Sequence, residues 1–210
     1  MPGVTSRFAP RERHALADLL TELGPDAPTL CEGWTSRDLA AHLVVRGSRV
    51  HLLGGLFSPR LAGPLKRAQD RIARRDWPAL VAAVRGRPWW APGKLDEAAN
   101  RVEYFIHHED VRRAQPGWRP RPLPEDLARA LWDSVPTRVR LALRRTPARV
   151  IVAAPGFGEI IGGKGGPEVR LTGDPGELLL FLFGRQAHAH VELTGPEHIV
   201  NRMRGAAYGI

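Results

Sequence analysis

Apolar positions in the first half of the chain recur at intervals of three and four. Leu16, Leu19, Leu20 and Leu23 follow Pro10 and stop at Gly24-Pro25, which predicts a helix over 9–23 with one apolar face. Thr35-Ser36-Arg37-Asp38 then reads as a helix cap, a hydroxyl answered by a carboxylate three residues on. Leu39, His42, Leu43, Val45, Arg46, Val50 and Leu53 continue at helical intervals as far as Gly54-Gly55. Pro64, Pro78 and Pro88 divide the stretch 59–92 into two short amphipathic pieces, 65–75 and 77–85, expected as one broken third helix. Trp89-Trp90, in a Pro/Gly setting, is expected to plug a bundle end. A fourth helix over 95–114 ends at Pro116-Gly117.

The pattern changes after the proline-rich stretch 118–123, which is expected to divide the chain into domains 1–117 and 118–210. A helix over 124–145, interrupted at Pro136, precedes short β-branched runs at 150–153, 159–161 and 169–172 separated by Gly/Pro clusters. Asp174 is a cap for an apolar helix over 175–183, the stretch 187–193 reads as a further strand, and 196–204 as a short last helix. The expected fold class is α with a smaller α+β part: a four-helix bundle followed by a small α+β domain.

The chain has 210 residues, 43% of them hydrophobic, enough to bury a sizeable core in one domain or two small ones. No apolar run is long enough to span a bilayer and no signal-peptide pattern opens the chain, so a soluble cytoplasmic protein is expected. The single cysteine, Cys31, excludes an internal disulfide and fits a reducing compartment as a buried, inert thiol. A net charge of +9 raises nucleic acid as a partner. Only Lys66, Lys94 and Lys164 are lysines, and the arginines form no basic run or aromatic platform, so nucleic acid is not the favoured partner.

Candidate chemistry concentrates on the fourth helix. Glu103 and His107 are four residues apart, about 40° on the helical wheel, and share a stripe with Asn100 and Asp110. His108 points roughly 140° away from Glu103 and is excluded as a ligand beside His107. His42, in the second turn of the second helix, offers a third ligand, and two histidines with a glutamate form a common zinc set with an open position. The spacing is equally that of an ordinary surface i, i+4 pair beside an unrelated histidine. Elsewhere, Gly162-Gly163-Lys164-Gly165-Gly166 lacks phosphate-loop spacing and is read as a hairpin turn. His188 and His190 alternate along the expected strand 187–193 and have no third ligand nearby in sequence.

The stretch Gly33-Trp34-Thr35-Ser36-Arg37-Asp38-Leu39-Ala40-Ala41-His42-Leu43 resembles the Gly-Trp-Thr-x-x-Asp-Leu-x-x-His-Leu signature of the mycothiol-dependent maleylpyruvate isomerase N-terminal domain, a branch of the DinB-like metalloproteins. Glu103 to Asp110 resembles that family's second signature, Glu-x-x-x-His-x-x-Asp, and the two together cover about residues 5–116. Residues 174–185, an apolar run ending in Gly-Arg, are similar to a run in the family's C-terminal domain. The whole chain most resembles a compact actinobacterial subgroup known only as metal-binding.

The resemblance implies a DinB-like bundle holding a divalent metal, zinc before nickel or iron, on His42, Glu103 and His107. It also implies mycothiol as a thiol cofactor. The corresponding function is a transferase or isomerase that brings a small-molecule thiol to a small electrophile, in a monomer or homodimer. Asp38 and Asp110 are then expected to orient the imidazoles, and Arg46, Arg49 and Arg185 to contact substrate. A metal-binding bundle without catalysis is the alternative.

Overall fold

Gly24 adopts a φ of +82°, a conformation that side-chain-bearing residues rarely take, and there the first helix ends. This helix, α1 (Phe8–Leu23), closes with the Gly24 N–H bonded to the Leu20 carbonyl at 3.1 Å. The computed structural model describes residues 8–48, 59–86 and 94–208. Arg49, Val50, Leu53, Gly54-Gly55 and Trp89-Trp90 lie outside them.

The second helix, α2 (Ser36–Ser48), begins as its sequence requires. The Thr35 N–H and hydroxyl both donate to Asp38 Oδ2, at 3.0 and 2.8 Å, while the Leu39 N–H bonds the Thr35 carbonyl. The broken third helix is α3 (Pro59–Ala73) and α4 (Trp77–Arg85), separated by a turn ahead of Pro78. Its first piece runs through Pro64 instead of starting after it. The fourth sequence helix is α5 (Lys94–Arg113). Helix α1 packs along α5, α2 against α3, and α4 against both α1 and α2. Leu16, Leu20, Leu39, Leu43, Val45, Leu80 and Val84 form the apolar core between them. At about 1.5–3 kcal/mol per fully buried aliphatic side chain, this core is the main force holding the helices together.

Helix α5 is an unusual wall for such a core. Asp96, Asn100, His108, Glu109, Asp110 and Arg113 are all buried along it. Charges in that position need partners, and α1 supplies two: Arg13 reaches Asp96 at 3.1 Å and Glu12 reaches His108 Nδ1 at 2.9 Å. Glu109 takes Arg113 at 2.7 Å and Arg112 at 3.0 Å. The two pairs from α1, Arg13–Asp96 and Glu12–His108, set the height of α5 against α1.

The chain divides into two compact units at Arg119 and Pro120. The second holds α6 (Glu125–Trp132), α7 (Val135–Ala142), strands β1 (Arg149–Ala154), β2 (Gly158–Gly163), β3 (Glu168–Gly173) and β4 (Val191–Thr194), and helices α8 (Pro175–Leu182) and α9 (Glu197–Arg204). The strand order is β2-β1-β3-β4, with β1 parallel to β3 and the other pairs antiparallel. Helix α8 is buried along its whole length, as its near-continuous apolar run dictates.

Two sequence expectations change here. The glycine cluster 162–166 is no hairpin turn, because β2 and β3 lie on opposite sides of β1. It carries the chain around the start of β1, so closely that a Cβ on Gly163 (φ +84°) would sit 2.0 Å from the Ala148 carbonyl oxygen. The expected strand 187–193 is split: Gln186–His188 form a 3-10 turn, the His190 N–H donates to Glu177 at 2.8 Å, and pairing starts only at Val191. His188 and His190 therefore do not alternate along one strand.

Candidate metal centre

Two helices and one carboxylate define the centre. His42 projects from α2 and His107 from α5, their ring centroids 5.5 Å apart and nearly perpendicular. Both turn Nε2 toward Glu103 Oε1, His107 at 3.3 Å and His42 at 3.6 Å. Glu103 lies one turn before His107 on the same stripe, which is what their four-residue spacing dictates. The three ligand atoms all fall within 4.8 Å of one another. Tetrahedral zinc, with donors about 2.0–2.2 Å from the ion, places those donors roughly 3.3 Å apart, so two imidazole nitrogens and one carboxylate oxygen here fit a divalent ion.

The surroundings orient this set. His107 Nδ1 donates to Asp110 Oδ2 at 2.9 Å, and Asp110 is fully buried, so Nε2 is turned toward Glu103. Cys31, from the loop before α2, approaches Asp110 Oδ2 at 3.3 Å and His107 Nδ1 at 4.0 Å. His42 Nδ1 meets the side-chain amide of Gln69 on α3 at 3.0 Å, and the Trp34 ring lies 5.2 Å from the His42 ring. Arg46, one turn beyond His42, brings Nε to 2.9 Å from Glu103 Oε1 and also bonds Asn100.

Electrostatics follow from this packing. Burial alone would raise the Glu103 pKa, yet hydrogen bonds from His107 and His42, with the charge of Arg46, hold it well below the usual carboxylate range. Burial pulls His42 below its ordinary value, more strongly than Glu103 lifts it. Burial also opposes the charged form of His107, but Asp110, Cys31 and Glu103 together raise it well above 6.5. The centre therefore pairs an ionised carboxylate with the charge of Arg46 and a His107 whose charged form is favoured, and a divalent ion taking these ligands would displace the proton from His107 Nε2.

The residues singled out in the sequence fall into three groups. His42, Glu103, His107 and Asp110 meet, while His108 faces Glu12 on the other side of α5. Asp38 is engaged in the α2 cap, and the group beside His42 is Gln69 instead. Arg46 reaches the centre through Glu103; Arg49 is outside the described residues; Arg185 belongs to the second unit, where its Nη1 donates to the Phe183 carbonyl at 2.6 Å. Cys31 and Gln69 carried no sequence signal for their places. One is in a loop and the other at the edge of the buried face of α3, and only the packing of α3 and that loop against the ligand helices brings them in.

Residues 9–87 match the family model described as the mycothiol maleylpyruvate isomerase N-terminal domain. That match spans His42 and stops short of Glu103 and His107. No curated protein matches significantly. Among solved structures, the crystal structure of a mycothiol-dependent maleylpyruvate isomerase and that of its histidine-to-alanine mutant each align with a TM-score of 0.60 at 15% identity, over 89% of this chain and 90% of the other. At that identity the likeness establishes the fold alone: a helical bundle followed by a small α+β part.

Proposed function

Residues 9–87 match the mycothiol maleylpyruvate isomerase N-terminal domain, and from that match we propose that this protein binds a divalent metal and uses mycothiol to act on a small electrophile. The reaction is an isomerisation or a transfer of the thiol. The observation that carries this reading is the convergence of His42 Nε2, His107 Nε2 and Glu103 Oε1 at the junction of α2 and α5. Zinc is the ion that donor set suits best. A Lewis acid held there lowers the pKa of a water or thiol in its remaining positions.

The chain's own residues do the rest. Asp110 fixes the His107 imidazole so that Nε2 stays available. Trp34 covers one face of His42 and limits the access of water from that side. Arg46, engaged by Glu103 and Asn100, would meet a carboxylate on the thiol or the electrophile by exchanging one of those partners for it.

Elemental analysis of the purified protein and of four variants tests the ligand set. His42→Ala, Glu103→Ala and His107→Ala should each lose most of the bound metal, and His108→Ala should retain it. Equal metal content in all of them would rule the assignment out. Cobalt(II) substitution then tests the chemistry, because a low-molecular-weight thiol entering the open position alters the visible spectrum. A spectrum that thiol leaves unmoved would reduce the function to a metal-stabilised bundle without catalysis.

A further inference from the structure

Gln69 stands on the far side of His42 from Glu103. Its amide nitrogen is 3.0 Å from His42 Nδ1, while His42 Nε2 is 3.6 Å from Glu103 Oε1. It also lines a cavity of about 350 Å³ with Trp34, Asp38, Leu65, Lys66 and Asp70. A neutral imidazole carries one hydrogen, and the nitrogen without it accepts. The Gln69 amide nitrogen can only donate, so in this arrangement Nδ1 accepts from it and the hydrogen of the neutral ring sits on Nε2, the nitrogen turned toward the Glu103 carboxylate.

A divalent ion at the centre reverses that demand. Nε2 must then offer its lone pair to the ion, the hydrogen must sit on Nδ1, and the partner of Nδ1 must accept. A primary amide meets both demands, because a half-turn about its terminal bond exchanges NH2 for oxygen. The cavity beside Gln69 gives that turn room and lets water solvate whichever end is not engaged. His107 needs no such change, since Asp110 accepts from its Nδ1 with or without an ion.

We propose that Gln69 is a positioning residue whose amide turns over as the metal loads, donating to His42 Nδ1 in the empty centre and accepting from it in the filled one. One hydrogen leaves Nε2 and one is taken up at Nδ1 by exchange with solvent, so the ring is neutral before and after. The proposal rests on the metal-binding reading above.

Imidazole ¹⁵N shifts read the hydrogen directly. Metal-free wild-type protein should carry it on His42 Nε2, and zinc-loaded protein on Nδ1. Gln69→Glu, a permanent acceptor, should bind cobalt(II) at least as tightly as wild type in chelator competition. Gln69→Leu, which can neither donate nor accept, should bind about 10–100-fold more weakly. Melting of the metal-free variants reports on folding, and a packing defect would weaken cobalt binding in both. Metal-free His42 with its hydrogen already on Nδ1, equal weakening in both variants, or one affinity across all three proteins would overturn this proposal alone. Wild-type protein that takes up no cobalt would overturn the metal reading and this proposal with it.

Discussion

Asp110 shows how much one buried carboxylate decides. It is fully buried, accepts from His107 Nδ1 at 2.9 Å and faces Cys31 Sγ at 3.3 Å. Its negative charge in a dry setting favours a hydrogen on Nδ1 and so leaves Nε2 for the centre. Asp110→Asn keeps the shape but replaces the charge with an amide that can face either way. We expect metal affinity to fall about 10–100-fold, read by chelator competition, with the metal-free melting temperature little changed. An affinity equal to wild type would confine Asp110 to packing. Cys31 illustrates the limit of reading a residue alone: an inert buried thiol was the sequence expectation, and its thiol is half-buried against the Asp110–His107 pair.

At the scale of elements, the α1–α5 seam sets the position of the ligands. Arg13 and Asp96 are both almost entirely buried, and Asn100 adds a bond to Asp96 at 2.7 Å. Removing one member of such a pair leaves the other charged in a low-dielectric interior, which costs about 3–5 kcal/mol. Arg13→Ala should therefore lower the urea midpoint by an amount corresponding to that loss, whereas an exposed pair such as Lys66–Asp70 should tolerate Lys66→Ala within about 1 kcal/mol. Comparable losses at the two sites would mean that the seam contributes no more than a surface contact. The seam was legible only in part. Of the stripe that helical spacing gave, only Asn100 touches the seam, through Asp96, and the partners Glu12 and Arg13 sit on a helix whose sequence advertised only its leucines.

For the whole molecule, the charge of +9 is carried mainly by arginines, several of which are already engaged. Arg13, Arg46, Arg112 and Arg113 are paired with carboxylates, and Arg37 and Arg138 donate to main-chain carbonyls. Side chains held in this way do not form the continuous basic stripe that neutralises a phosphate backbone. Duplex DNA at low salt should therefore not be retained by micromolar protein in a filter-binding assay; retention that falls steeply with added salt would restore nucleic acid as a partner. Among the described residues, no helix is long and apolar enough to cross a membrane.

Helix positions apart from the start of α3, the α2 cap, the change of pattern near residue 118 and the sharing of one face by Glu103 and His107 were determined by the sequence alone. Each depends on neighbours within a few residues, where periodicity and capping act. Tertiary structure decided what no local rule contains. It brought His42 to within 3.6 Å of a carboxylate 61 positions later, and drew Gln69 and Cys31 behind the two imidazoles. It also sent the 162–166 glycines around β1 instead of back along β2. The physical reason is the same in each case: hydrogen bonds and charges between distant segments have no period along the chain and exist only once the apolar faces have fixed how the helices and strands pack.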